Sequence, residues 1–541
     1  GAMAADPKSF NPLIAEHDRP TRDVVARMQD YLMDYDVVAR QWKGRIVEPQ
    51  IIIDEAKGTM QVVYTLRDDL FWSYYNSGRR VKVTSDDVIF WYDEIEGDFD
   101  FQSSGYYGQF LTMPDGNDAR ITIHKIDDRR FYFHFPRIVA EPYLATNMDF
   151  GPKHIFEPAK RQGGVEGVRN LWSIDVDPRT IPSMGKWFLF EYNSGQRLVY
   201  KRNPDYWKKD VNGVSLPYVE ELIVRIIPEE NTQLLLFRQG ELDSYLPRPE
   251  DLDGLVNRND GSFTVFNSEG ALAASFWTFN QNPVNSNTPQ YEWFTKKEFR
   301  QAMSCLLNRD RINVQVYRGL AEPKLTVFPE PNPYYNPSIT FQYLYDRQRA
   351  LELLASIGFK KDIFGNMRDE KNQRVEFNLT IASNSTMMQD IASIIMDELS
   401  KAGIKVNIRV VDFQKQVEML FSTFDWDSTI IGLSGSGIFP SQGSNTWPSS
   451  GNLHMWYPNQ ETPATEWEAR IDHLYNEGKF TLDPIRAKEI WDEFQSIILE
   501  ETPLIYLMRP RRFWALNNRW DQTNVYFDNM KGAETDYIYL R

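Results

Sequence analysis

Val375-Glu376-Phe377-Asn378-Leu379-Thr380-Ile381-Ala382, then the run Thr386–Lys401, then Ile404-Lys405-Val406-Asn407-Ile408-Arg409-Val410-Val411 decide the fold class of this 541-residue chain. The first and third segments read as strands, and Met387–Leu399 between them is amphipathic at helical spacing. Gly403 stands just past that helix, where a C-cap is expected. A second helix over Asp412–Phe424 and a third strand over Ser428–Leu433 complete a strand–helix–strand–helix–strand unit. This order predicts a parallel sheet with helices on its faces. Ligands of such sheets sit beyond the carboxyl ends of the strands. Those ends are Ser383–Ser385 and Ser434–Gly437.

Upstream the pattern changes. The first third is strand-rich: Thr59–Arg67 alternates, and Arg120–Ile126 and Arg130–Phe135 flank Asp127-Asp128-Arg129 as a hairpin. Trp187–Tyr192 and Gln196–Arg202 flank Asn193-Ser194-Gly195 as a second hairpin. From Arg202-Asn203-Pro204-Asp205-Tyr206-Trp207 to Tyr245, a strand, a Pro/Gly-rich turn through Asn212-Gly213 and Leu216-Pro217, the strand Leu222–Ile227 and a helix follow one another. After residue 290, Phe294–Tyr317 places Phe299, Met303, Leu306 and Leu307 on one helical face, and Asp346–Ile357 is amphipathic too. No internal repeat or low-complexity linker interrupts the chain.

Length alone gives a prior of about three to four domains. A 42% hydrophobic and 25% charged composition is that of a globular protein with sizeable cores. The net charge of −16 argues against a general affinity for nucleic acid or anionic membrane. No run of about 18 apolar residues occurs. Gly1-Ala2-Met3 reads as a cloning scar, and the abrupt start after it reads as an export signal cut away. Cys305, the only cysteine, lies beside Met303 and Leu306 on a helical pattern and reads as a buried, inert thiol.

The usual catalytic and metal signatures are not found. His17, His124, His134, His154, His454 and His473 form neither HExxH nor HxxxH, so no metal site is expected. His124 and His134 read as strand residues. No GxGxxG or P-loop occurs, and no cofactor is expected. Gly432-Leu433-Ser434-Gly435-Ser436 fails the GxSxG pattern at Ser436. It reads as a flexible loop whose backbone approaches a ligand closely. Asp86-Asp87 follows Thr84-Ser85 and reads as helix N-terminal charge. Asp425 and Asp427 read as solvated residues at a strand start.

Ordered motifs point further. Asp6-Pro7-Lys8-Ser9-Phe10-Asn11-Pro12, Tyr64-Thr65-Leu66-Arg67 through Phe71-Trp72, Val83–Val88, Pro152-Lys153-His154-Ile155-Phe156, Phe299-Arg300-Gln301-Ala302 with Asn308-Arg309-Asp310, and the 202–245 stretch cover nearly the whole chain. In this order they resemble the extracytoplasmic solute-binding proteins of ABC importers, of the large oligopeptide-binding type (solute-binding family 5). The resemblance implies an α/β, three-lobed periplasmic-binding-protein-like fold: two α/β lobes joined by hinge segments, plus a smaller strand-rich insertion lobe. Lobe I would comprise 1–48, 180–268 and 501–541, lobe II 49–179, and lobe III 269–500. The hinge is expected near Phe266–Ser275 and Thr502–Arg511. The family's first strand lies before the "dPksFNP" element. Only Ala4 and Ala5 precede it here, so that strand is expected to be missing or trimmed.

One departure bears on ligand chemistry. Oligopeptide-binding members carry Gly-Trp-x-x-Asp after the last strand of the repeat, its Asp pairing with the peptide's amino terminus. The aligned run here has Leu433 for Trp and Ser436 for Asp, which puts a free peptide amine in doubt as the recognised feature. Residues expected at the cleft are Tyr106 and Tyr107 of lobe II, Trp277, Phe279, Asn280 and Asn282 at the entry to lobe III, Ser434 and Ser436 at the strand ends, Trp447 and Trp456 on the loop beyond, and Arg511 and Arg512 after the last crossing. An aromatic and amide set suits sugar stacking or peptide side-chain pockets.

The resemblance implies a non-enzymatic receptor, expected to be a monomer, that captures an oligopeptide-like solute by hinge closure and delivers it to a membrane permease. It would work outside the cytoplasmic membrane, periplasmic or lipid-anchored at its outer face. An oligosaccharide receptor of the same fold, a carbohydrate-active or peptide-cleaving enzyme on a related scaffold, and a sensory receptor remain as alternatives.

Overall fold

Glu376–Ala382 (β2) and Lys405–Val411 (β3) pair in parallel along their whole length, from Glu376 opposite Lys405 to Ala382 opposite Val411. This pairing comes from a computed structural model that describes every residue except 17, 104, 258–260, 384, 434–436 and 529–531. The helix joining the two strands, Thr386–Lys401 (α1), packs on both and buries Ile391, Ala392, Ile395 and Leu399. Gly403 follows it at φ +86°, the left-handed conformation expected of it, and a Cβ there would overlap the Gly365 carbonyl. Ser428–Ile431 (β4) lies parallel to β2 on its other side. The sheet order is β3-β2-β4-β1-β5, where β1 is Phe276–Phe279 and β5 is Leu504–Tyr506.

β1 runs antiparallel to both of its neighbours, with Phe276 opposite Ile431 and Tyr506, and Phe279 opposite Ser428. The start of β1 therefore lies at the carboxyl ends of the parallel strands, and its exit lies at their amino ends. One large core surrounds this sheet. Phe299, Met303, Leu306 and Leu307 are all fully buried in it, as their shared helical face predicts. They lie on or just past Lys297–Cys305, and a separate helix, Arg309–Gln315, follows. Two long helices, Glu466–Phe480 (α2) and Pro484–Glu501 (α3), pack along each other and contribute Leu474, Tyr475, Trp491 and Phe494 to this core. Cys305 is buried as expected, and burial pushes its thiol up to about 11, away from the nucleophilic thiolate.

The chain divides into two compact units: Gly1–Asn267 with Phe513–Arg541, and Ser268–Arg512. Expected lobes I and II share the first unit, apart from residues 268 and 501–512. Those last residues belong to the second unit, because β5 is the fifth strand of its sheet. The chain passes between units within the strands Phe263–Gly270 and Met508–Asn517.

In the first unit, Val47–Asp54, Thr59–Leu66, Arg130–Phe135 and Thr122–Lys125 form an antiparallel sheet. Period-2 alternation sends Met60, Val62, Tyr64 and Leu66 inward against Phe131, Phe133 and Phe135. The second predicted hairpin, Trp187–Asn193 with Arg197–Arg202, continues into Glu221–Ile226. Ala2–Met3 pairs in parallel with that last strand, Ala2 opposite Arg225 and Met3 opposite Ile226. The expected loss of the opening strand is thus corrected: backbone N–H and C=O groups alone complete a sheet edge, whatever the side chains. Asp86 and Asp87 do lie in the first turn of a helix, Ser85–Phe90, and Asp87 accepts the Thr84 N–H at 2.8 Å as a capping box. Asp425 is exposed as expected. Asp427 is not simply solvated: it accepts both N–H groups of Asn378, at 2.8 and 2.7 Å, and so ties β2 to the start of β4.

Candidate functional site

A cavity of about 240 Å³ opens in the second unit at the carboxyl ends of β4 and β5. This is the position that the strand–helix alternation predicts for a ligand. Phe276, Leu504 and Tyr506 reach it from the sheet, Lys324, Val327 and Phe328 from the segment after Ala321–Pro323, and Leu433, Phe439 and Trp447 from the long loop after β4.

Three of the aromatic wall residues, Trp447, Phe328 and Tyr506, are held from behind. Trp447 meets Phe494 of α3 edge-on at 5.7 Å, and Phe328 stacks on the same ring at 5.8 Å. Gly443 is a close-approach glycine: a Cβ there would overlap the Trp447 indole. Arg309, itself buried, donates twice to the Tyr506 carbonyl, at 2.9 and 2.7 Å. Burial, the dominant influence, draws this guanidinium down to about 10 and pushes the Tyr506 phenol up.

The loop carrying Trp447 is pinned to α2 by one carboxylate. Glu468 accepts from His454 Nε2, Trp456 Nε1, Gln460 and Thr465 at 3.1, 2.9, 2.9 and 2.7 Å. Burial works to raise the pKa of Glu468, but these four hydrogen bonds outweigh it and hold the carboxyl at about 2.

The expected site residues scatter. Trp447 forms part of the cavity wall. Trp456 lies behind it, its ring 6.4 Å from Trp447, and is 1% exposed. Trp277 and Phe279 alternate with Phe276 onto the opposite face of β1, where Phe377 and, against Phe279, Phe294 and Phe299 enclose them in the core. Asn280 and Asn282 follow β1 and so lie at the far end of the sheet. Asn280 donates to the Phe424 and Trp426 carbonyls, and Asn282 caps the turn at Val284. Alternation along β1 accounts for Trp277 and Phe279, and its antiparallel direction, invisible in the sequence, accounts for Asn280 and Asn282. Arg511 pairs with Glu322 at 2.7 Å on the strand Met508–Asn517, and Arg512 is exposed beside it. Tyr106 packs against Phe99 and Phe110 in the first unit, and Tyr107 is 71% exposed. Ser434 and Ser436 lie outside the described residues. Ser385 caps α1 through the Met388 N–H.

Sequence reasoning missed Lys324, Phe276, Phe328 and Tyr506. Phe276 was within reach, because strand alternation makes either Phe276 or Trp277 face a ligand. Nothing local marks the others.

The first unit holds a second cavity, about 360 Å³, with Glu16, Glu96 and Asp149 on its wall. Burial chiefly, and then the charges of Glu16 and Asp149, push the Glu96 carboxyl up to about 8. Gly105 makes room for it: a Cβ there would stand 2.6 Å from Glu96 Oε2.

The family model for bacterial extracellular solute-binding proteins, family 5, matches residues 37–454. The chain belongs to this family. Among family-5 and related proteins, it is 28% identical over 537 residues to a probable ABC transporter-binding protein of Deinococcus radiodurans, covering 95% of this chain and 87% of that protein. Two solved structures share the family-5 fold. The ABC transporter substrate-binding protein CtaP of Listeria monocytogenes aligns with a TM-score of 0.76 at 20% identity, over 100% of this chain and 98% of that one. The oligopeptide-binding protein AppA of Bacillus subtilis, solved with a nonapeptide, aligns at 0.68 and 20% identity, over the same shares. Family-5 proteins are extracellular solute receptors. Among the described residues no helix is long and apolar enough to cross a membrane.

Proposed function

We propose that this chain is the peptide receptor of an ABC importer, binding its solute outside the cytoplasmic membrane and passing it intact to a membrane permease. One observation carries the reading: the cavity at the carboxyl ends of β4 and β5, walled by Phe276, Phe328, Phe439, Trp447 and Tyr506, with Gln442, Asn445 and Thr446 at its edge. Aromatic walls with a few amide and hydroxyl groups suit side chains and peptide bonds together. The nonapeptide held by AppA, a protein of like fold, supports the same class of solute. In this reading Trp447 touches the peptide.

Tryptophan fluorescence during titration with a defined mixture of short peptides, and separately with an oligosaccharide mixture, tests this. Saturable change with peptides, and their full recovery uncleaved, is the expected result. Saturation by saccharides alone, or accumulation of cleaved product, overturns it.

A further inference from the structure

Among the described residues lining the cavity in the second unit, Lys324 is the one basic side chain and none is Asp or Glu. The residue is 6% exposed. Its amine makes one side-chain hydrogen bond among the described residues, to the Val327 carbonyl at 3.1 Å, and lies 5.0 Å from the centre of the Tyr506 ring. An ammonium carries three donors, and a buried one is normally matched by an opposite charge. The carboxylates on neighbouring segments are already engaged. Arg509 grips both oxygens of Glu330, at 2.7 and 2.9 Å, and reaches Glu322 at 3.3 Å. Glu322 also takes Arg511. Among the described residues, the cavity therefore holds a buried amine with donors to spare and no carboxylate on its wall.

We propose that Lys324 is an anion anchor that receives a carboxylate of the bound solute, with the adjoining apolar part lying against Phe276, Phe328, Phe439 and Trp447. This rests on the peptide-receptor reading and narrows it. The recognised feature in this cavity is an acidic group, the terminal carboxylate or an acidic side chain, and not an amine. A charge-assisted hydrogen bond inside apolar walls is stronger than the same bond in water, so one such contact orients the solute.

The anchor has a pH signature. The charged and titratable groups around the amine are Tyr506 on β5, Arg509 on the following strand, Glu330 beyond Val327, and Glu322 across from Arg509. Burial first, and Arg509 second, draw the Lys324 amine down to about 7, with Glu330 opposing them. A carboxylate that binds the charged amine raises that pKa. Binding above neutrality therefore takes up a proton, and carboxylate affinity falls as pH rises past 7, whereas affinity for a neutral analogue does not.

The test is calorimetric titration of the whole chain with matched probes. These are 4-phenylbutyrate against 4-phenylbutyramide, and a tetrapeptide ending in phenylalanine with its terminus free, amidated, or amidated with a glutamate inside. At about pH 6, where the amine is charged, the acid forms are expected to bind about tenfold or more tighter than the amides. The preference should shrink at about pH 8.5, disappear in Lys324→Met, and persist at both pH values in Lys324→Arg, whose charge does not titrate in this range. The two peptide arms separate a terminal carboxylate from an acidic side chain. Equal binding of acid and amide by the unmodified protein at about pH 6 needs no variant and overturns the anchor, as does failure of every probe to bind. Peptide binding without the preference leaves the receptor reading standing and removes the anchor. A Lys324-dependent preference for phenylbutyrate, with no peptide bound, does the reverse.

Discussion

The indole N–H of Trp456 donates to Glu468 Oε1 at 2.9 Å, one of four side-chain donors gathered on a single buried carboxylate. This relationship fixes the loop that carries Trp447. Glu468→Ala would strand those donors in the interior and should lower stability by about 3–5 kcal/mol in chemical denaturation. Because the Glu468 carboxyl is depressed from its ordinary 4.5 to about 2, its contribution is complete above 4.5 and is lost as pH falls toward 2. The variant should therefore show a smaller loss of stability than the parent across that acid range.

Gly443 and Trp447 set the shape of the cavity wall. Gly443→Ala places a methyl group into the indole and must move the ring, at a cost of about 1–3 kcal/mol. Solute affinity should fall further than the stability change alone accounts for, which parallel titration and thermal melting would reveal.

Alternation along β1 separates two neighbouring functions. Phe279→Ala removes a ring buried among Phe294, Phe299 and Phe377 and should cost about 3–5 kcal/mol of stability. Phe276→Ala removes cavity wall and should weaken solute binding by about tenfold as well. Similar affinity losses in both variants, after correction for unfolded protein, would contradict the assignment of faces.

Glu96 gives the first unit a pH dependence of its own. Its carboxyl is raised from 4.5 to about 8, so the folded protein holds a proton that the unfolded chain has released. The protonated form favours folding, and that contribution is lost as pH rises from 4.5 through 8. Melting temperature measured across this range should fall less in Glu96→Gln than in the parent.

Much of this architecture is legible in the sequence because it is written in local periods. Val375–Leu433 announces a parallel sheet through its alternation of strands and helices, and the carboxyl ends of those strands locate the cavity. Thr59–Leu66 and Arg130–Phe135 show their buried faces at period 2. What local pattern cannot carry is strand direction. The choice of Asn280 and Asn282 failed to reach the cavity because β1 inserts antiparallel between β4 and β5, a decision made by chain segments about 150 and 225 residues downstream, and Trp277 and Phe279 failed because they face the other side of that strand from Phe276. Lys324 escaped notice for a related reason. A lysine in a Pro-rich segment reads as a surface residue until tertiary packing encloses it. Trp447 was within reach because aromatics on the loop beyond a strand end have few alternatives to packing near the site.

Native mass spectrometry of gently purified protein, followed by identification of whatever it releases, tests the central claim most directly. The account predicts one intact peptide per chain, carrying an acidic group, and its loss from the Phe276→Ala protein. Release of a saccharide, or of peptide fragments generated during incubation, would contradict it.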